Sequence, residues 1–205
     1  MLKPGLPVSS WGTVKPGNIK YRDLNGDGVL TDDDMTAIGN PNVPEIVYGF
    51  GFSFRYRRFD ISAMFQGVGK TDFMLSGSLF ILGVGQGTLG NIISNVDDRW
   101  TPENPSDNVF FPRLSYGANN NDARPSPWWV KNGNYMRLKN FEIGYTPWMG
   151  KGARKVLSNF RIYFRATNLL TFSDFKLWDS ELVGEGYKTY PLSRIMSVGI
   201  DFTFN

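Results

Sequence analysis

A dense set of side-chain oxygens lies in Asp23–Asp34. The run reads Asp23-Leu24-Asn25-Gly26-Asp27-Gly28-Val29-Leu30-Thr31-Asp32-Asp33-Asp34. Acid or amide oxygens fall at the first, third and fifth positions, a glycine at the sixth and an acid at the twelfth, which is the spacing of a calcium loop. Calcium takes hard oxygen ligands, and this spacing wraps them around one point. Asp23, Asn25, Asp27 and Asp34 would offer side-chain oxygens and Val29 its backbone carbonyl. Gly28 permits the sharp turn. Two features depart from an EF-hand. Asp34 stands where a bidentate Glu is usual, and no amphipathic helix precedes the loop. The competing reading is an Asp/Asn/Gly-rich turn without metal.

Most other chemistry is excluded by composition. The chain has no Cys and no His, so disulfides, zinc sites, histidine bases and Ser–His–Asp triads are out. Glu142, Glu181 and Glu185 show no spacing that suggests the paired carboxylates of a glycosidase. The expectation is therefore not an enzyme. The 22 basic residues are spread along the chain and the net charge is only +3, which leaves no nucleic-acid footprint. The densest basic run, Arg55-Tyr56-Arg57-Arg58, reads as a solvated turn.

The pattern of the rest of the chain is that of strands. Ile46, Tyr48, Phe50, Phe52, Phe54 and Tyr56 fall on one phase of a period-two pattern, with Val47, Gly49, Gly51, Ser53 and Arg55 on the other. After Arg57–Arg58 the pattern resumes, with Phe59, Ile61, Ala63 and Phe65 against Asp60, Ser62, Met64 and Gln66. Alternate side chains of a strand point to opposite faces, so Ile46–Gln66 predicts a hairpin with one aromatic face. Three further strands are predicted at Asn134–Thr146, Asn159–Asn168 and Arg194–Asn205. In the first of these the phase slips above Phe141, and a bulge near Lys139 would explain it. Met1–Lys20, with Pro4, Pro7 and Pro16, reads as extended loop. Gly67–Leu89, with apolar patches at Phe73–Leu75 and Leu79–Leu82, fits either a helical turn or a further strand. Asn91–Pro127 and Thr171–Leu192 read as long loops, and a loop as long as the first is functional or a sign of wrong assignment.

The fold class is therefore all-β, with aromatics at 15% of the chain. No apolar run approaches the ~20 residues of a membrane helix, but barrels cross membranes with alternating strands. Two architectures fit. A soluble, calcium-dependent carbohydrate-binding β-sandwich would bury the aromatic face. A transmembrane antiparallel β-barrel would turn it to lipid and line its lumen with Arg55, Asp60, Gln66, Glu142, Arg161, Arg165 and Asp201. Strand length, the alternation of short turns with long loops and the aromatic finish at Phe202 and Phe204 favour the barrel. Five strands do not close one, because an open edge in lipid leaves backbone groups unpaired.

Four blocks carry a resemblance. They are Pro16–Gly28; Ile38–Pro41 with Tyr48-Gly49-Phe50, Phe59-Asp60-Ile61-Ser62 and Gln66-Gly67; Tyr135–Tyr145; and Arg165-Ala166-Thr167-Asn168-Leu169-Leu170-Thr171-Phe172. In this order they resemble the C-terminal part of the SusC/RagA family of TonB-dependent outer-membrane transporters of Bacteroidetes. The resemblance implies the last strands of a plugged barrel in the outer membrane of a Gram-negative bacterium. It implies import of oligosaccharides or peptides, powered through a TonB complex that contacts a part of the transporter outside this chain. It also implies a SusD-like surface lipoprotein over the external loops and contact with outer-membrane lipid. Residues 1–45 would then be an extracellular loop carrying the calcium-type segment, and 46–205 the barrel strands and their loops. Trp100, Trp128, Trp129 and Trp178 would lie in external loops, where they could stack on substrate or pack structurally. Arg161 and Arg165 would meet substrate or plug, or pair within the wall.

Overall fold

The computed structural model describes residues 5–75, 94–115, 119–152, 156–182 and 189–204. Its strands are β1 (Val8–Ser9), β2 (Val29–Leu30), β3 (Ile46–Tyr56), β4 (Phe59–Gly69), β5 (Asp72–Met74), β6 (Val130–Asn132), β7 (Tyr135–Tyr145), β8 (Leu157–Ser173) and β9 (Ile195–Phe204). The described helical segments are two short 3-10 turns, Asp32–Asp34 and Ser94–Asp97. The chain divides into two compact units, Met1–Gly39 with Met74–Lys131 and Asn40–Phe73 with Asn132–Asn205. The sequence had suggested a division after residue 45. The predicted patch at Leu79–Leu82 and the acid Glu185 lie outside the described residues, and of the patch Phe73–Leu75 the first two residues are in β5.

The second unit is a five-stranded antiparallel sheet in the order β3-β4-β7-β8-β9. Period-two patterning becomes two continuous faces. Phe52 lies opposite Ala63, Ala63 opposite Phe141, Phe141 opposite Ala166 and Ala166 opposite Met196. The same phase carries Phe50 stacked on Phe65 at 5.0 Å and Phe160 stacked on Phe202 at 6.5 Å, cross-strand aromatic pairs that help to fix register. A soluble sandwich would pack this face against a second sheet. Instead Phe50, Phe52 and Phe54 are 53%, 53% and 59% exposed, and Phe202 54%. A face this aromatic and this uncovered matches a barrel wall turned to hydrocarbon, and the sandwich alternative fails on it.

The other face carries charge, and the charge is paired. Arg161 of β8 reaches across Gly144 of β7 to Asp60 of β4, with its Nε 3.1 Å from Oδ1 and an Nη 2.5 Å from Oδ2. It also donates to Glu142 at 2.6 Å, and Glu142 accepts from Arg165 at 2.7 Å. Asp201 of β9 stands 3.7 Å from the same guanidinium. The crossing needs Gly144, because a Cβ there would occupy the guanidinium's place. The predicted pairing within the wall is therefore what Arg161 and Arg165 do.

The predicted irregularity falls at Lys139. Met64 pairs with Asn140 and Phe65 with Leu138, so Lys139 is the extra residue on β7. On β8 the matching partners are Thr167 and Leu170, which leaves Asn168 and Leu169 extra. Asn168 takes a left-handed φ of 54°, a conformation Asn tolerates better than most residues. The bulge keeps Leu138 and Met136 on the aromatic face despite the slip in sequence parity.

The first unit has little regular structure. Its described strand pair is β1 with β2, parallel, Val8 opposite Val29. Ile19, Leu30, Leu75, Phe111 and Trp129 are buried. The predicted long loop Asn91–Pro127 is, over its described residues 94–115 and 119–127, packed against the N-terminal segment.

Candidate functional site

The calcium-type residues come together in one exposed turn. Asp23 accepts from the backbone N–H of Gly26 at 2.6 Å and of Gly28 at 2.8 Å. Asn25 accepts from the N–H of Asp27 at 3.0 Å, and Asp27 from the N–H of Val29 at 2.8 Å. Gly26 and Gly28 hold φ of 79° and 83°, which suits glycine. Asp34 sits in a 3-10 turn capped by Thr31 and accepts from the N–H groups of Leu24 at 2.7 Å and Thr31 at 2.9 Å. Those backbone hydrogen bonds, from Thr31 and then Leu24, hold its carboxyl below the usual carboxylate range. So the loop closes on itself, Asp34 back to Leu24, as a calcium loop does. Its carboxylates are directed at backbone N–H groups, and among the described residues no three acidic side chains converge as a metal centre. Arg124 anchors the end of the loop through an ion pair with Asp32, its guanidinium 4.2 Å from the Trp11 ring.

The four tryptophans expected in external loops have different fates. Trp129 is 1% exposed, and its indole N–H donates to the backbone carbonyl of Asp122 at 2.8 Å. Its ring is core and has no face for a ligand. Trp128 is half-buried and donates to the carbonyl of Phe110 at 3.0 Å. Trp100 packs over Gly17, where a Cβ would enter the ring. It also lines a cavity of about 1080 Å³ within the first unit, with Pro7, Val8, Ile19, Leu30 and Asn121. Trp178 makes an edge contact with Phe175 at 4.6 Å, lies 5.9 Å from Phe73 and donates to the carbonyl of Leu182 at 2.9 Å.

Two buried carboxylates organise these surroundings, and the sequence reading named neither. Asp122 accepts from the Nδ2 groups of Asn18 (2.5 Å), Asn121 (2.8 Å) and Asn119 (3.0 Å) and from the N–H of Ile19 (2.7 Å). Burial nonetheless wins and pushes its carboxyl above the usual range. Tyr21, whose hydroxyl donates to the carbonyl of Asn121 at 2.8 Å, is pushed by burial up to about 12. The available signal was the polar run Asn119-Asn120-Asn121-Asp122 inside a stretch otherwise rich in proline and aromatics.

Asp179 is the second. It pairs with Arg137 of β7, which is 2% exposed, and accepts from the N–H of Glu181 at 3.0 Å and of Leu192 at 3.2 Å. Burial works to raise its carboxyl, and the Arg137 guanidinium with the two N–H groups holds it below the usual range. Glu181 stands 3.3 Å from Arg137 and accepts from Lys139 at 2.8 Å. These pairs fasten the segment after β8 onto the charged face of β7. The predicted loop Thr171–Leu192 starts later than expected, because β8 runs on to Ser173. Glu142 and Glu181 are thus both committed to cations.

No family model matches the chain. It is 32% identical over 201 residues to the TonB-dependent receptor P26 of Formosa agariphila, covering 92% of this chain and 20% of that protein. It is 30% identical over 210 residues to TonB-dependent receptor P3 of the same organism, covering 94% and 20%. The chain spans about a fifth of the length of these curated relatives. In fold it matches the RagAB peptide importer in its open-open state with a TM-score of 0.64 at 22% identity, over 93% of this chain and 21% of that one. A second structure, of the RagAB peptide transporter, matches with a TM-score of 0.62 at 23% identity, over 83% and 18%. The sequence likeness to TonB-dependent receptors, the fold shared with RagAB and the four sequence blocks agree: the chain resembles a segment of a SusC/RagA-like TonB-dependent transporter.

Proposed function

We propose that this chain is the C-terminal wall and loop region of a TonB-dependent outer-membrane importer of oligosaccharides or peptides, working under a SusD-like lipoprotein. The observation that carries this reading is the sheet itself, with an uncovered aromatic face on one side and an ion-paired face on the other. A lipid-facing wall with a wet lumen needs both. Sequence likeness to two TonB-dependent receptors supports the energy source, and the family resemblance supports the lipoprotein lid. The test is fractionation of cells expressing the whole protein that carries this chain, with circular dichroism in detergent. An outer-membrane protein with β signal only in detergent is expected. A cooperatively folded protein soluble without detergent would defeat the reading. Co-purification of a surface lipoprotein, and loss of oligosaccharide or peptide uptake on deleting the gene, test the partner and the cargo.

Calcium at Asp23, Asn25, Asp27, Val29 and Asp34 belongs to the same proposal, as a brace for an external loop. The spacing and the closure of Asp34 onto Leu24 support it. The ion would have to compete with the backbone N–H groups that now occupy the carboxylates. Terbium luminescence of the whole protein, compared with its Asp27→Asn variant, reads this directly. Saturable binding lost in the variant is expected, and an unresponsive loop in both would remove calcium from the account.

A further inference from the structure

The uncovered aromatic face of the sheet ends in a basic rim. At the end where β3 joins β4 and β7 joins β8, the last row of that face is Tyr56 opposite Phe59 and Phe59 opposite Tyr145. Phe59 and Tyr145 meet at 4.7 Å, and Tyr56 and Phe59 are exposed. Directly beyond this row stand Arg57 and Arg58, in the turn between β3 and β4, and Lys151, in the connection from β7 to β8; all three are exposed. The N–H of Thr146 donates to the carbonyl of Arg58 at 2.8 Å, which fastens the first turn to the start of the second connection. Elsewhere on the sheet Lys70, Arg137, Lys139, Arg161 and Arg165 each have an acidic partner. Arg57, Arg58 and Lys151 have none among the described residues, and the sequence from Thr146 to Val156 contains no Asp or Glu.

Two further observations turn this charge toward the aromatic face. The Arg57 guanidinium lies 5.2 Å from the centre of the Tyr56 ring. Trp148 is exposed, and its indole N–H donates to no group among the described residues. An exposed indole with a free N–H beside an apolar wall suits the level at which hydrocarbon gives way to headgroups. Arg57 also holds a left-handed φ of 55°, which Gly or Asn adopts at less cost. A cation thus stands where backbone conformation alone favours another residue. In an outer-membrane barrel the short turns lie on the periplasmic side, so this rim meets the inner leaflet.

We infer that the short-turn end of the wall binds anionic phospholipid headgroups of the periplasmic leaflet. Arg57 and Arg58 present forked donors to the lipid phosphate, Lys151 adds counter-charge, and Trp148 seats its ring among the upper acyl chains with its N–H toward the headgroups. Charge and continuity with the lipid-facing wall both select a lipid as the occupant. The inference rests on the importer reading and deepens it.

The test uses the whole protein reconstituted into phosphatidylcholine vesicles that carry increasing fractions of brominated phosphatidylglycerol or brominated phosphatidylcholine. Bromine quenches tryptophan on contact, and subtracting the signal of a Trp148→Phe variant in each background isolates Trp148. The anionic lipid should compete for the Trp148 neighbourhood about fivefold better than the zwitterionic one, roughly the worth of one cation at an anionic surface. Arg57→Gln/Arg58→Gln should bring the two lipids to equality, and high salt should narrow the difference. Lys176→Gln/Arg194→Gln removes the same charge at the long-loop end and should leave the preference unchanged. Equal quenching by the two lipids would overturn the inference. So would a preference that survives Arg57→Gln/Arg58→Gln, or one that falls equally with Lys176→Gln/Arg194→Gln. A Trp148 quenched by neither lipid, in a protein that floats with the vesicles, would put this end in water, open to a protein partner, and overturn the inference while sparing the importer. A protein that does not float with the vesicles would overturn the importer reading and the inference together.

Discussion

Asp122 is fully buried and the side chain of Asp179 is 8% exposed, and the two carboxylates are held in opposite ways. Asp122 sits among neutral amide donors, and no cation pairs with it among the described residues. Asp179 sits against a guanidinium that is itself buried. Four neutral hydrogen bonds do not offset the desolvation of Asp122, while one charged partner and two N–H groups do so for Asp179. The lesson concerns what each polar centre is for. Neutral donors drawn from residues 18, 19, 119 and 121 define a shape and tie distant segments together. A charge pair holds one segment onto a rigid strand, and depends on both members being present.

The largest expected effect follows from that dependence. Arg137→Ala leaves Asp179 buried without its cation, and should cost about 3–5 kcal/mol in denaturant unfolding of the whole protein. Next is Asp122→Asn, which keeps the shape but offers one acceptor oxygen to a set of four donors. A loss of about 1–3 kcal/mol is expected for a donor left unpaired, read as faster hydrogen exchange at Ile19. If Asp122→Asn costs as much as Arg137→Ala, the distinction between neutral and charged centres collapses.

The pH dependence sharpens the same comparison, because the two signs differ. The folded-state carboxyl of Asp179 lies below the ordinary value of about 3.9. Its contribution is therefore complete above that value and lost as pH falls through the lower folded one. The folded-state carboxyl of Asp122 lies above the ordinary value, so its contribution is complete below about 3.9 and is lost as pH rises through the higher folded one. Protection factors at Ile19 should hold or rise on acidification toward pH ~4, while those at Glu181 and Leu192 fall only below it. Parallel behaviour at the three sites would contradict the assignment. The smallest effect belongs to Lys139→Ala. Its ion pair with Glu181 is partly exposed, so a loss of about 0–1 kcal/mol is expected.

The two units also differ in how legible they were. The five strands of the sheet were readable because alternation is a local signal, and Phe50 and Phe52 announce their face without knowledge of any partner. The bulge at Lys139 was readable for the same reason, as a break in parity. The first unit was not, because its organiser acts at long range. Asp122 meets Ile19 across 103 positions, and nothing periodic marks either residue. The tryptophans show the same limit. Residue type alone could not separate Trp129, a core residue, from Trp100 and Trp178, which line cavities.

The irregularity at Lys139 has a geometric consequence for the wall. At one level across three neighbouring strands the surplus residues count none on β4, Lys139 on β7, and Asn168 with Leu169 on β8. A surplus that grows from strand to strand is a wedge, after which β4, β7 and β8 resume their pairing in a new register. The pairing of β8 with β9 stops at Thr167, directly below it. Above that point β4, β7 and β8 stay paired while β9 is released, and room opens behind Asn168 for Arg194 and the segment that carries Trp178. A regular wall would have no such gap, so the opening beside Arg137 originates in three extra residues.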